Sequence, residues 1–309
     1  MLMLVASGGS THSRLAVDYA RVLAETLRAH GTRSNVDSVC VARDSGPTCT
    51  AVLDAVAERL GPVAGRRIER RGATWREIVA TATEGAYDLI VVGEKGHHGL
   101  AKRVVLGSTA SKVGTRADRP VLVVKADPRW GLSLEGEPSL GNVLRSAGVT
   151  LLPRKILVAA ALHDRARGAR LLRRVGPLAA AGGAEVVLLH VMSQLPSSFA
   201  SDPDAWRATA EELLAQETAE GKLLERDLAM LADQGIPATA RVRHGLVVDE
   251  IRAELVEGGY DLLCVGGHER GSWLDTMLIE DVSHDLLEAS PCSVLVVNGP
   301  TERADRAVA

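Results

Sequence analysis

Aromatic residues are scarce, 3% of the 309 positions with a single Phe (Phe199), so the chain has little with which to build a base-stacking platform for single-stranded nucleic acid. Its core must come from Val, Leu, Ile and Ala. Charge of one sign is also lacking: 36 Lys and Arg face 39 Asp and Glu, for a net charge of -3. That balance supplies no basic field for nucleic acid or an anionic membrane, and neither is expected as a partner. The four cysteines, Cys40, Cys49, Cys264 and Cys292, fall at no metal-ligand or disulfide-framework spacing and read as buried, reduced thiols. Long apolar runs are missing as well. Met1 to Ala6 is apolar but far too short to span a membrane, has no charged region before it and ends in a Gly/Ser turn. A soluble, cytoplasmic protein is expected.

What is present is a repeat. Gly72 to Val124 aligns without a gap on Gly245 to Val297, at a constant offset of 173 residues. The copies share Gly72/Gly245, Glu77/Glu250, Ile78/Ile251, Tyr87-Asp-Leu89 with Tyr260-Asp-Leu262, Val92-Gly93 with Val265-Gly266, and Val121-Leu-Val-Val124 with Val294-Leu-Val-Val297.

Period and punctuation then order each copy. In the first, strands are expected at Leu2 to Ala6, Val36 to Ala42, Arg66 to Arg71, Asp88 to Val92 and Val121 to Val124. Helices lie between them, one carrying Leu15, Val17, Ala20, Leu23 and Leu27, one over Ala51 to Leu60, and one to Glu84 behind a capping box of Thr74 and Glu77. The second copy repeats the order, with strands at Ile156 to Ala161, Ala184 to Val191, Ala238 to Val242, Leu262 to Val265 and Val294 to Val297. Its helices run through Leu178, from about Trp206 to Leu231 as one long solvated helix, and to Leu255. Strands alternating with helices, apolar throughout where central, predict an α/β fold: two tandem doubly wound domains with mainly parallel sheets. The expected bounds are residues 1–130 for the first domain and 131–153 for a linker, where Leu140 to Leu144 adds a short turn of helix. Residues 154–299 form the second domain and 300–309 a tail.

In such sheets ligands sit beyond the carboxyl ends of the strands where the order reverses, which directs attention to the turns after the first and fourth strands. Copy one is Gly/Ser-rich in both. Ser7-Gly-Gly-Ser10 follows the first strand. Gly93-Glu-Lys-Gly96 follows the fourth, then a basic stretch with Lys95, His97, His98, Lys102 and Arg103, then Gly107-Ser108 opening a helix, with Ser108 as its cap. Glycine admits an anion close to the backbone, and a helix N-terminus offers N–H groups to it. Residues 93–108 carry Glu94 against Lys95, Lys102 and Arg103, a net +2, whereas residues 266–281 carry Glu269, Asp275, Glu280 and Asp281 against Arg270, a net -3. Asp281 is itself an N-cap that satisfies the groups a phosphate would need. Copy one is therefore read as the anion-binding half and copy two as degenerate. His12, His163, His244 and His268 have no second ligand at a recognisable spacing and receive no role. His97 and His98 read as part of a solvated loop.

On Tyr87 to Gly93, Gly107-Ser108 and Pro120 to Val124, each half resembles the universal stress protein domain, and the whole chain resembles a tandem, two-domain member. That resemblance implies that Gly93, Gly96, Gly107 and Ser108, with Lys95 beside them, cradle the phosphates of ATP or AMP, with or without Mg. The backbones of Ser7, Gly8, Val41, Val92 and Thr109 would then line the adenosine. It further implies a stress-response or regulatory protein, with the second half structural or partner-binding. An intramolecular pseudo-dimer through Val121–Val124 and Val294–Val297 follows, open to further homo-oligomerisation. Two features depart from the family pattern: ten residues instead of nine separate Gly96 from Gly107, and Gly8 and Ala161 stand where the family carries an acid. Two other readings remain. One is a ligand-free interaction scaffold. The other is an ATP pyrophosphatase-like enzyme, because Ser7-Gly-Gly-Ser-Thr11 resembles the S-G-G-x-D-S loop, although Thr11 and His12 replace its Asp and second Ser.

Overall fold

In the computed structural model, which describes residues 1–42, 48–95, 106–126, 150–159, 165–192, 209–215, 219–267 and 282–298, the apolar run Leu2–Ala6 forms β1 and Thr11–Ala29 forms α1. The helix starts where Ser10 accepts a hydrogen bond from Ser13 N and stops at Gly31, whose positive φ of 82° suits glycine. There follow β2 (Asn35–Ala42), α2 (Cys49–Leu60), β3 (Ala64–Arg71), α3 (Thr74–Glu84), β4 (Leu89–Gly93), α4 (Ser108–Arg116) and β5 (Val121–Val124). The second repeat supplies β6 (Lys155–Ala159), α5 (Arg165–Gly182), β7 (Glu185–Met192), α6 (Ala210–Ala215), α7 (Ala219–Ala232), β8 (Ala238–His244), α8 (Val247–Gly258), β9 (Leu262–Gly266), a helix α9 over 282–289, and β10 (Ser293–Val297).

The chain divides into two units, Met1–Leu152 with Gly267–Ala309, and Pro153–Gly266. In the first, β3, β2, β1, β4 and β5 lie side by side and parallel, and β10 pairs antiparallel with β5 through Val294↔Val123, Leu295↔Leu122 and Val296↔Val121. The last strand of the second repeat thus covers the edge that an all-Val/Leu strand would leave open. In the second unit β8, β7, β6 and β9 are parallel in that order. Strands buried along their length, β1, β4 and β5, are central, whereas Arg-rich β3 and β8 alternate and sit at edges. The α/β, mostly parallel architecture expected from the sequence is the one found.

The best-matched residues of the repeat prove architectural. Asp88 accepts from the N–H of Leu2, and Asp261 from those of Arg154 and Lys155, so each aspartate pins the start of its copy's first strand. A Cβ on Gly85 or Gly258 would run into the ring of Tyr87 or Tyr260 two residues on. Gly72 and Gly245, at φ 137° and 150°, leave room for the carboxylates of Glu77 and Glu250. One local expectation needs correction. α3 is capped by Ala73 with no side-chain bond, so Thr74 is its first residue and no capping box forms; Glu77 packs against Gly72 instead. The long helix from Trp206 is described only as α6 and α7, with 201–208 and 216–218 outside the described residues, as is Leu140–Leu144. All four cysteines are buried and form no disulfide.

The two tyrosines also give a measurable signature. Tyr87 Oη donates to Asp37 Oδ2 at 2.6 Å and Tyr260 Oη to Glu254 Oε1 at 2.6 Å. Burial first, then the neighbouring carboxylate, pushes Tyr87 up to about 12 and Tyr260 up as well. Raised folded values favour the protonated phenols, so this contribution is present below about pH 10 and is lost as pH rises through the folded values. At about pH 10.5, absorbance at 295 nm should show no phenolate from Tyr87 or Tyr260 in the folded protein and both on unfolding.

Candidate functional site

Strand order reverses between β1 and β4, because β2 and β3 extend to one side of β1 while β4 lies on the other. The crevice beyond their carboxyl ends is the ligand position of a doubly wound sheet. The turn after β1 is tightly braced. Ser7 N donates to Val39 O, Gly9 N to Ser7 Oγ at 3.3 Å, Ser7 Oγ to Ser13 Oγ at 3.2 Å and Ser13 Oγ to Ser10 O at 2.8 Å. It is joined to the turn after β4, since Ser10 Oγ donates to Lys95 O at 3.2 Å. That second turn is joined to α4 through Gly107 N, which donates to Glu94 O at 2.7 Å. Ser7, Ser10, Gly93, Glu94, Lys95 and Gly107 are thereby brought together.

Gly93 has a steric reason to be glycine. A Cβ there would fall on the carbonyl of His12 and lie 2.9 Å from Ser13 N, because the first turn of α1 rests on the end of β4. Gly266, its counterpart, would meet among the described residues only the Arg167 side chain, at 3.4 Å. Gly8 is exposed, with none of the described residues within 4 Å of an added Cβ. Val41 and Val92, near the carboxyl ends of β2 and β4, bury their side chains. Ser108 does not cap α4: Gly107 is the N-cap, no side chain among the described residues bonds the first turn, and Ser108 is the exposed first helical residue. A glycine has no side chain to place there, so the serine hydroxyl sits one position too late. The uncapped turn leaves its N–H groups and the positive end of the helix for an anion. Gly96, His97, His98, Lys102 and Arg103 lie outside the described residues, as do Ala161, His163, His268, Glu269, Arg270, Asp275, Glu280 and Asp281. Among the described residues no group of three His, Cys, Asp or Glu is placed to hold a metal ion, and no helix is long and apolar enough to cross a membrane.

Two charged side chains of this crevice were not singled out by motif. His12, second residue of α1, places Nδ1 3.3 Å from Glu94 Oε1, an electrostatic contact without hydrogen-bond alignment. Glu94 is buried and accepts from Ala126 N at 3.4 Å. Burial raises its carboxyl, but the His12 ring, the Ala126 N–H and the Lys125 charge outweigh this, and the net shift is downward. Lys125, also buried, donates Nζ to the carbonyls of Leu287 at 2.6 Å and Ser290 at 2.7 Å at the end of α9, and burial lowers its ammonium. The available signal was positional: His12 and Glu94 stand in the two turns that a switch point brings together.

A comparison with curated proteins found no match. Among solved structures the chain is similar to a universal stress protein from Archaeoglobus fulgidus DSM 4304, at 18% identity over 96% of this chain and 98% of that one, with a TM-score of 0.63. It is also similar to a functionally unknown protein from Pseudomonas aeruginosa PAO1, at 15% identity over 97% and 93%, with a TM-score of 0.64. These likenesses carry the fold. The sequence itself matches the universal stress protein family twice, over residues 2–125 and 153–298, and the chain belongs to that family.

Proposed function

We propose that this is a nucleotide-binding stress-response or regulatory protein that holds one adenine nucleotide, ATP or AMP, in the crevice of the first unit. The observation that carries the reading is the uncapped N-terminus of α4, tied through Gly107 and Glu94 to the Ser7–Ser10 turn at the point of strand reversal. Phosphates would take the N–H groups at Ser108 and Thr109 and the Lys95 charge, and the backbones at Ser7, Gly8, Val41 and Val92 would line the nucleoside. The second repeat, with acids at Glu280 and Asp281 in the equivalent positions, would serve as a structural or partner-binding half. The β5–β10 pairing supports one chain supplying both halves of a family-type dimer.

The test is the small molecule released when the purified chain is denatured, identified by mass spectrometry and quantified against protein, with calorimetry of added nucleotide. About one adenine nucleotide per chain is the expected result. Gly107→Glu with Ser108→Asp, which copies the second repeat into the first, should weaken binding at least about 100-fold while leaving the folded circular dichroism spectrum intact. Unchanged affinity would show that the phosphates lie elsewhere. One observation favours the scaffold reading, the purely steric need for glycine at position 93. No released nucleotide and no calorimetric heat would decide for it.

Gly8 offers a gain-of-function check. Its open surroundings accept a side chain, so Gly8→Asp would restore the acid that the family carries after the first strand. A several-fold tighter binding of adenine over guanine nucleotides is expected, about 1 kcal/mol for one added hydrogen bond. Equal affinities would separate this position from the base.

A further inference from the structure

We propose that His12 is an anion ligand of the first unit's crevice, donating from its outward ring nitrogen to a nucleotide phosphate, with buried Glu94 as the residue that orients the ring. This rests on the nucleotide reading above and adds to it a ligand that motif comparison does not supply. The geometry is specific. His12 sits in the first turn of α1, its carbonyl against Gly93, between the Ser7–Ser10 turn and the end of β4. Nδ1 has no solvent-exposed surface and faces Glu94 Oε1 at 3.3 Å, yet 24% of the side chain is exposed, against 7% for Glu94. Nε2, the ring nitrogen not engaged by Glu94, is the one left to a ligand.

A carboxylate beside Nδ1 selects the tautomer with the proton on that nitrogen. Nε2 of the neutral ring is then a lone pair, which repels a phosphate oxygen; protonated, it is a donor with a positive charge. Phosphate binding and proton uptake at His12 are thus one coupled event. Among the described residues the charges that face the pair are few. Glu94 comes from the end of β4, Lys95 from the same turn, and Lys125 from the end of β5 with its Nζ engaged by the Leu287 and Ser290 carbonyls. On α1 itself Arg14 is exposed, and the facing β1 turn contributes only Ser and Gly.

Calorimetry on the full chain with MgATP, whose terminal phosphate is already ionised, provides the test at about pH 6 and about pH 8, in two buffers of different ionisation enthalpy. The wild-type chain should bind about tenfold more tightly at the lower pH, which by linkage is an uptake of about half a proton averaged over that range. His12→Asn should bind equally at both, and Glu94→Gln should show a reduced slope, because a neutral amide no longer holds the ring. Wild-type binding with no buffer-dependent heat, or a His12→Asn chain that keeps the wild-type slope, overturns the assignment while leaving the nucleotide reading intact. Absence of any binding by the wild-type chain at either pH overturns the nucleotide reading and His12 with it.

Discussion

Gly93→Ala should cost about 3 kcal/mol or more of the first unit's stability, while the equivalent change in the other repeat, Gly266→Ala, should cost less than about 1 kcal/mol. The methyl group at position 93 would land on the His12 carbonyl, with Ser13 N at 2.9 Å, and these are backbone atoms of a helix held by the Ser10 cap and by the Ser13 Oγ bond to Ser10 O. They can withdraw only if α1 moves away from β4, which opens the best-buried part of that unit, where Leu15, Ala16, Ile90 and Val91 are fully enclosed. At position 266 the methyl group would touch Arg167 at 3.4 Å, an ordinary contact with a flexible side chain. Urea unfolding of the two variants measures the contrast, and equal losses would show that the packing of α1 on β4 is softer than described. Because the same shift of α1 displaces Ser10 from Lys95, nucleotide binding should fall with stability in Gly93→Ala and stay unchanged in Gly266→Ala.

Glu254→Ala carries the second large effect, about 3 to 5 kcal/mol on the second unit. The carboxylate is 1% exposed and accepts from Tyr260 Oη at 2.6 Å, Arg243 Nε at 2.7 Å and Arg241 Nη1 at 3.0 Å. Its removal takes the carboxylate acceptor from a buried phenol and the ion-pair partner from Arg241, and leaves Arg243 with Glu250 and Glu257 alone, on top of a cavity. The same site has a pH signature. Burial raises the Glu254 carboxyl, but the hydrogen bonds from Tyr260 and Arg243 and the charges of Arg241 and Arg243 more than reverse this, so the folded value lies below the usual one. A lowered folded value favours the ionised form in the folded state. Its contribution is therefore complete above the unfolded value of about 4.3 and is lost as pH falls through and below it. Glu254→Gln should flatten the loss of stability between about pH 5 and pH 3 relative to the wild-type chain, and an unaltered acid limb would assign that loss to other carboxylates.

Asp37 is the first unit's answer to the same need. It accepts from Tyr87 Oη, Arg66 N at 2.7 Å and Arg66 Nε at 2.8 Å, yet it comes from β2, whereas Glu254 comes from α8. The repeated tyrosine is visible by alignment, but its two partners occupy unrelated positions in the two copies. Burying a phenol requires an acceptor, and any element within reach can supply one.

Periodicity and the repeat determined by themselves the succession of strands and helices and the mainly parallel character of the sheets. These follow from local spacing and from which runs must be buried on both faces, and such patterns survive in one dimension. The Gly/Ser turns at Ser7–Ser10 and Gly93–Lys95 were equally legible, because a switch point dictates where they meet. Only the tertiary structure decided that Gly107 and not Ser108 ends the cap, that Thr74 makes no capping box, that Gly93 is held to glycine by the His12 carbonyl, and that His12 and Glu94 share one crevice. The first two turn on where the backbone leaves the helical conformation, and the last two on atoms about eighty residues apart approaching within a few ångströms, a distance set by how α1 packs on β4, which no spacing along the chain records.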